Sequence, residues 1–194
     1  MVGASRTVGS IGRRILRALV AGGFTGPVYP INPHADELDG IRCYPSLAAA
    51  PHGIDLAVVA VPRPAVLGVV DECAAAGVKS LAVITAGFAE TGVDGRALQQ
   101  TLLDKVRGHG LRMVGPNCMG LLNANPRVRL NASFSPIVPP SGGVALSSQS
   151  GALGLAILEL ASERGVGLST FVSVGNKADV SGNDLLQYWE ADPA

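Results

Sequence analysis

The sequence carries no excess of either charge. Lys and Arg number 15 and Asp and Glu number 15, a formal net charge of +0. That balance argues against a nucleic-acid-binding surface and against an acidic or basic tail. Cysteine is scarce, and Cys43, Cys73 and Cys118 show no metal-ligand spacing. They read as small, reduced, buried residues, not as a disulfide framework or a metal site. No apolar run reaches the ~20 residues needed to span a membrane, so no membrane partner is expected. The N-terminus lacks the basic region and long apolar core of a signal peptide, and a cytoplasmic location is the expectation. Apolar residues, by contrast, make up 47% of the chain, ample for a buried core.

Apolar, β-branched runs alternate with helical patterns. Residues 55–61, apolar without a break from Leu56 onward, read as a strand buried on both faces. Residues 79–85 and 111–114 read as further strands, and 26–31 as a short one. Ile11, Ile15 and Leu19, with Leu16 and Val20, make a helical stripe, while Arg13, Arg14 and Arg17 take the other face as solvated residues. Ser10 is the expected N-cap and Gly22-Gly23 the stop. A second helix opens at Pro64, carries Val66, Val70, Cys73 and Ala74, and ends at Gly77. A third carries Leu98, Leu102 and Val106 and closes at Gly108. The βαβα order predicts an α/β fold with a Rossmann-like, mostly parallel sheet covered on both faces.

The Asn- and Pro-rich stretch 116–140 breaks this rhythm. Residues 1–125 are expected to form a first domain, 126–142 a linker, and 143–194 the first part of a second α/β domain. In that part 143–147 and 167–174 read as strands, and 151–164 and 184–190 as helices. A strand of ~5–6 residues is expected ahead of Gly3, where only Met1 and Val2 stand. The second domain also breaks off at Ala194, so the chain reads as a piece of a longer protein.

Two strand-to-helix turns have the chemistry of anion sites. Residues 3–12 read Gly-Ala-Ser-Arg-Thr-Val-Gly-Ser-Ile-Gly, and residues 147–154 read Ser-Ser-Gln-Ser-Gly-Ala-Leu-Gly. A helix N-terminus leaves backbone N–H groups free and carries a partial positive charge, which favours phosphate. Two such turns in two α/β units point to a protein that handles phosphates at two places. In the first, Gly3, Gly9 and Gly12 are too widely spaced at the front for G-x-G-x-x-G. Asn32-Pro33 also stand where an NAD site wants an acid, with Asp36 and Glu37 beyond them. Ser5 and Thr7 add hydroxyls there, and Arg6 is either a charge-assisted donor or a solvated turn residue. The second turn lacks the G-x-S-x-G elbow of serine hydrolases, since Ser148 and Ala152 flank Ser150 at two residues. It reads either as a phosphate cradle, built from Ser148, Ser150 and the amides of Gln149 to Gly151, or as an ordinary N-cap at Ser150.

Taken in order, Gly3-Ala-Ser, Pro27-Val-Tyr-Pro-Ile-Asn-Pro33, Val61-Pro62, Ile84-Thr-Ala-Gly-Phe88, Gly115-Pro-Asn-Cys-Met-Gly120, Ser148-Gln-Ser-Gly151 and Gly175-Asn-Lys-Ala-Asp179 carry a resemblance. The set resembles NDP-forming acyl-CoA synthetases, whose α part is similar to the α subunit of succinyl-CoA synthetase. It covers essentially the whole chain. The resemblance implies a CoA-binding Rossmann-like domain followed by the start of a flavodoxin-like, succinyl-CoA synthetase-like domain. It puts Gly3, Ser5, Arg6, Thr7, Val8 and Gly9 at the CoA phosphates, and Asn32 and Pro33 at the nucleotide part. It puts Pro62 at the adenine end, Ile84, Thr85 and Ala86 along the pantetheine arm, and Asn117 and Cys118 near the thiol. Ser148, Gln149, Ser150 and Gly151 would hold a phosphoryl group that the family carries on a histidine.

The implied reaction turns acyl-CoA and phosphate into acyl phosphate, then passes the phosphoryl group to that histidine and on to ADP. His34 stands where many relatives carry a lysine, and reads as a surface residue. His34, His52 and His109 all fall in the first domain, so the carrier histidine is expected beyond Ala194 and no catalytic residue is assigned within the chain. The implied partners are an acyl-CoA or carboxylate substrate and an ATP-grasp domain or subunit holding ADP or ATP with Mg, in an oligomer when complete. Two other readings stand beside this one: a CoA-binding regulatory module fused to a protein acetyltransferase, and an NAD-binding Rossmann protein.

Overall fold

Small and branched apolar residues let the strand runs be buried on both faces, and the computed structural model, which describes residues 1–192, places them in one parallel sheet. The first helix, α1 (Ile11–Ala21), leads to a short antiparallel hairpin of β1 (Glu37–Leu38) and β2 (Ile41–Arg42). Next come β3 (Leu56–Val59), α2 (Val66–Ala75), β4 (Ser80–Val83), α3 (Val93–Gly108) and β5 (Arg112–Val114). Strands β3, β4 and β5 pair in parallel in that order. Val2 extends the sheet by parallel bridges to both Val59 and Ile31, and Ile31 bridges Tyr44. Across the sheet the order is therefore Tyr44, Ile31, Val2, β3, β4, β5, which is the 3-2-1-4-5-6 order of dinucleotide folds. The order reverses between Val2 and β3, and the 3–12 turn starts at that point.

Of residues 26–31, expected as a strand, only Ile31 makes a bridge. Pro27 and Pro30 have no N–H to give to a ladder. The runs 55–61, 79–85 and 111–114 form strands within their expected spans, and their side chains alternate between two cores. Ala57, Val59, Leu81, Val83 and Met113 pack with Val66, Val70 and Cys73 of α2 and Leu102 and Val106 of α3. Val58, Ala82 and Ile84 face the other way, onto Ile15, Leu16 and Leu19 of α1. Ser10 caps α1 by accepting the Arg13 N–H at 3.4 Å.

The stretch expected as a tail and linker is built into a second sheet. It contains β6 (Gly120–Asn123) and β7 (Leu130–Ser133), followed by β8 (Ser141–Ser148), α4 (Gly151–Glu163), β9 (Leu168–Ser173) and α5 (Gly182–Glu190). The strand order is β7-β6-β9-β8, with β6 antiparallel to both neighbours and β8 parallel to β9. Residues 126–142 thus hold a strand in place of a free linker. Hydrogen bonding to β6 and packing of Leu130 and Ala132 under α1 fix it there. Residues 193–194 of the expected second domain lie outside the described residues.

Asp179 joins the two sheets. Its side chain is fully buried and accepts from the Met113 N–H at 2.8 Å, Arg112 Nε at 2.9 Å and Arg107 Nη2 at 2.7 Å. Among the described residues, no helix is long and apolar enough to cross a membrane, and no group of His, Cys, Asp and Glu could hold a metal ion.

Candidate functional site

Two glycines let the first turn fold onto the sheet. Gly3 has φ +85°, and a Cβ there would stand 2.4 Å from the Ala60 carbonyl oxygen. A Cβ on Gly12 would stand 2.1 Å from the Gly3 carbonyl oxygen, so α1 can begin where it does only because Gly12 has none. The turn is then tied from three sides. Asn32 donates through Nδ2 to the Ala4 carbonyl at 2.7 Å and accepts the His34 N–H at 2.8 Å. Ser10 Oγ donates to the Thr7 carbonyl at 2.8 Å, and Ser5 Oγ accepts the Thr7 N–H at 3.1 Å. Arg13 donates to the Arg6 carbonyl at 2.7 Å and to both carboxylate oxygens of Asp39.

Arg13 is therefore a half-buried brace and not the solvated residue that the helix face implied, while Arg14 stays exposed as expected. Hydrogen bonds from Arg13, then from Arg17, hold the Asp39 carboxyl well below the usual carboxylate range. Arg14 donates to the Phe134 carbonyl at 2.8 Å with its guanidinium 5.3 Å from the centre of the Phe134 ring. Arg6, Thr7, Val8 and Gly9 stay exposed at the rim. Among the described residues the amides of Val8, Gly9 and Ile11 have no hydrogen-bond partner. Gly9 has φ +82° and nothing within 4 Å of a would-be Cβ, so the outer side of the turn is open to a ligand.

A cavity of about 430 Å³ lies beside this turn, at the C-terminal ends of β3 and β4. It brings together Ile84, Thr85, Ala86, Asn117 and Cys118 with Gln149, Ser150 and Gly151. The site residues expected from two different units thus share one hollow. Gly3, Ser5, Arg6, Thr7, Val8, Gly9, Asn32, Pro33, Pro62 and Ser148 are not among the residues that line it.

The polar groups of the cavity are largely committed. Thr85 Oγ1 donates to the Val61 carbonyl at 2.7 Å, tying the ends of β3 and β4. Cys118 Sγ donates to the Val83 carbonyl at 3.3 Å, and burial pushes its thiol up to about 12, so it is a neutral wall and not a nucleophile. Asn117, at φ +55°, donates to Asn176 Oδ1 at 3.2 Å. Asn176 in turn donates to Gln99 Oε1 at 2.9 Å and to Glu90, whose other oxygen accepts the Gly87 N–H. Burial opposes the ionised Glu90, but those bonds keep it below the usual carboxylate range.

The second turn supplies the free donors. Ser150 caps α4 by accepting the Leu153 N–H at 3.2 Å, and the amides of Gln149, Gly151 and Ala152 have no partner among the described residues. Ser148 differs from the expectation: it is buried, and its hydroxyl donates to the Ser150 carbonyl at 2.8 Å. Its proton is spent holding the turn. The amides and the Ser150 hydroxyl are what the cavity is offered.

Ile11, Ala60, Val61, Met119 and Phe134 complete the lining as an apolar wall. Residue patterns did not mark this wall as part of a site. Phe134 sits in the stretch read as a linker, and its only local signal is the alternation Asn131-Ala-Ser-Phe-Ser135.

Comparison with known proteins adds to this geometry. The CoA binding domain family model matches residues 1–124, and the succinyl-CoA ligase like flavodoxin domain model matches 141–194. The chain is 43% identical over 192 residues to an ADP-forming acetate–CoA ligase of Methanocaldococcus jannaschii, covering 99% of this chain and 26% of that protein. It is 39% identical over 187 residues to an ADP-forming 4-hydroxybutyrate–CoA ligase of Nitrosopumilus maritimus, covering 96% of this chain and 27% of that protein. Among solved structures it is similar to the dinucleotide forming acetyl-coenzyme A synthetase 1 of Ca. Korarchaeum cryptofilum in complex with phosphate and ADP. There the TM-score is 0.93 and the identity 49%, over 99% of this chain and 40% of that one. The chain thus spans about a quarter of the length of these two curated relatives.

Proposed function

The chain belongs to the ADP-forming acyl-CoA synthetase family through its CoA binding domain, and from that membership we propose that it is the CoA- and phosphate-holding portion of an acid–thiol ligase. One observation carries the reading: the residues expected at the CoA thiol and those expected at a phosphoryl group line a single cavity. The diphosphate of CoA would lie on the open side of the 3–12 turn, against the free amides of Val8, Gly9 and Ile11 and beside Ser5, Arg6 and Thr7. Asn32, Pro33 and Pro62 would border the nucleotide end. The pantetheine arm would pass Ile84, Thr85 and Ala86 towards Asn117 and Cys118. Phosphate would rest on the amides of Gln149, Gly151 and Ala152 and on the Ser150 hydroxyl.

In that arrangement a phosphate oxygen faces the thioester carbonyl carbon. Attack forms the C–O bond of an acyl phosphate and breaks the C–S bond, and the sulfur leaves as the thiolate and takes up a proton to give CoA. Holding both reactants in one hollow makes the step effectively intramolecular. Passage of the phosphoryl group onward would be the work of a carrier histidine and, separately, of an ATP-grasp domain or subunit that would hold ADP or ATP with Mg²⁺.

Calorimetric titration of the chain with CoA and with NAD tests the assignment. CoA should bind and NAD should not; heat from NAD alone would overturn it. Replacing Gly9 by Val should weaken CoA binding, because a side chain at this φ +82° position would fill the open side of the turn. Unchanged affinity in that variant would refute the placement of the diphosphate.

A further inference from the structure

Resting on the reading above, we propose that Phe134 is the residue that sets acyl-chain size, by forming the rigid far wall of the acyl subsite. A thioester carbon carries three substituents: sulfur, oxygen and the acyl chain. In the proposed pose the sulfur lies towards Asn117 and Cys118, and the attacking phosphate comes from the turn at Gln149 to Gly151. The acyl chain must then take the remaining direction, into the apolar wall of Ile11, Ala60, Val61, Met119 and Phe134. Phe134 is the largest side chain in that wall and its sole aromatic group.

The structure also fixes Phe134 in place. Its neighbours Asn131, Ser133 and Ser135 are 3%, 0% and 2% exposed. They form a closed polar ladder: Ser133 Oγ donates to Asn131 Oδ1 at 2.7 Å, the Ser135 N–H donates to Ser133 Oγ at 3.1 Å, and Asn131 Nδ2 donates to the Ser135 carbonyl at 3.3 Å. The ladder continues to Ile137, whose N–H donates to Ser135 Oγ at 3.1 Å. Phe134 lies just past the end of β7 and packs against both the core beneath α1 and the core of the second sheet. Arg14 then holds the Phe134 carbonyl and lies over its ring, and the Phe134 N–H reaches the Met119 carbonyl at 3.4 Å. With its backbone bonded at both the N–H and the carbonyl and Arg14 over its ring, Phe134 is held against swinging away to admit a longer chain. Relatives named for acetate and for 4-hydroxybutyrate show that this scaffold serves acids of different size, so such a determinant is needed.

The test is calorimetric titration of the full chain with free CoA and with acetyl-, butyryl- and hexanoyl-CoA. In the unaltered chain hexanoyl-CoA should bind more weakly than acetyl-CoA. Phe134→Ala should raise affinity for hexanoyl-CoA relative to acetyl-CoA by about tenfold or more, as methylene discrimination in apolar pockets allows, and leave free CoA unchanged. Phe134→Trp should move the ratio the other way, and it serves if the alanine variant does not fold. Equal ratios in a folded variant, with CoA still bound, would overturn the role of Phe134 while leaving the CoA site standing. Failure of the unaltered chain to bind CoA at all would instead overturn the functional reading on which this role rests.

Discussion

Gly12 stands against Gly3 so closely that the carbonyl oxygen of one occupies the place of a Cβ on the other, at 2.1 Å. Backbone cannot yield as a flexible side chain can. Replacing Gly12 by Ala should push α1 off the sheet, costing roughly 1–3 kcal/mol as overpacking does. CoA affinity should fall with it, because the amides at the start of α1 move. Thermal denaturation and CoA titration of the variant check both; a folded variant with native affinity would show that the close approach is dispensable.

Asp179 should make stability depend on acid. Burial opposes its charge, yet the Met113 N–H, Arg112 and Arg107 together hold its carboxyl below the usual range. A carboxyl depressed on folding stabilises fully above its unfolded value, near 4, and that contribution is lost as pH falls through the lower folded value. Denaturant titrations from pH 7 down to pH 3 should show this loss, and Asp179→Asn should flatten it. At pH 7 the variant should be destabilised by about 1–3 kcal/mol. Both arginines are more than half exposed, so they are not left as stranded buried charges. An identical pH slope in the variant would remove Asp179 from the account.

Ser148 and Ser150 should separate by readout. Each alanine variant loses one hydrogen bond of the turn, about 1 kcal/mol of stability. Only Ser150→Ala should also weaken binding of inorganic phosphate, since the Ser148 hydroxyl is spent on the Ser150 carbonyl. Equal phosphate binding in both would argue that the amides alone hold the anion.

The cysteines should be chemically silent in the folded chain. Burial pushes Cys73 and Cys118 up to about 12 and raises Cys43 as well. At pH 8 a thiol reagent such as Ellman's should label none of them until denaturant is added, and then all 3. Rapid labelling of Cys118 in the folded state would contradict the neutral wall assigned to it.

Local pattern made much of the fold legible. The unbroken apolar run around Val58 could be buried only between two layers, and Ser10 and Ser150 cap the helices their positions implied. The failures have a common cause in sequence distance. Asp39 lies 26 residues from Arg13, and Phe134 lies 120 from Arg14, so neither partner shows in a helical wheel. β7, Leu-Asn-Ala-Ser, has no β-branched residue and is a strand only because β6 and α1 lie beside it. The anion turns could be read because their function rests on backbone amides and glycines, which local sequence specifies. The apolar wall could not, because it is assembled from four separate segments.

The return of β7 under α1 bears on how the chain can be divided. The first family match ends at residue 124, but Leu130 and Ala132 complete the core beneath α1, and β6 depends on β7 and β9 for its hydrogen bonds. A truncation at the end of that first match would expose the underside of the helix that carries the first anion turn. The smallest piece able to melt as one cooperative unit therefore runs past the family boundary, and inherited modules and folding units do not coincide in this molecule.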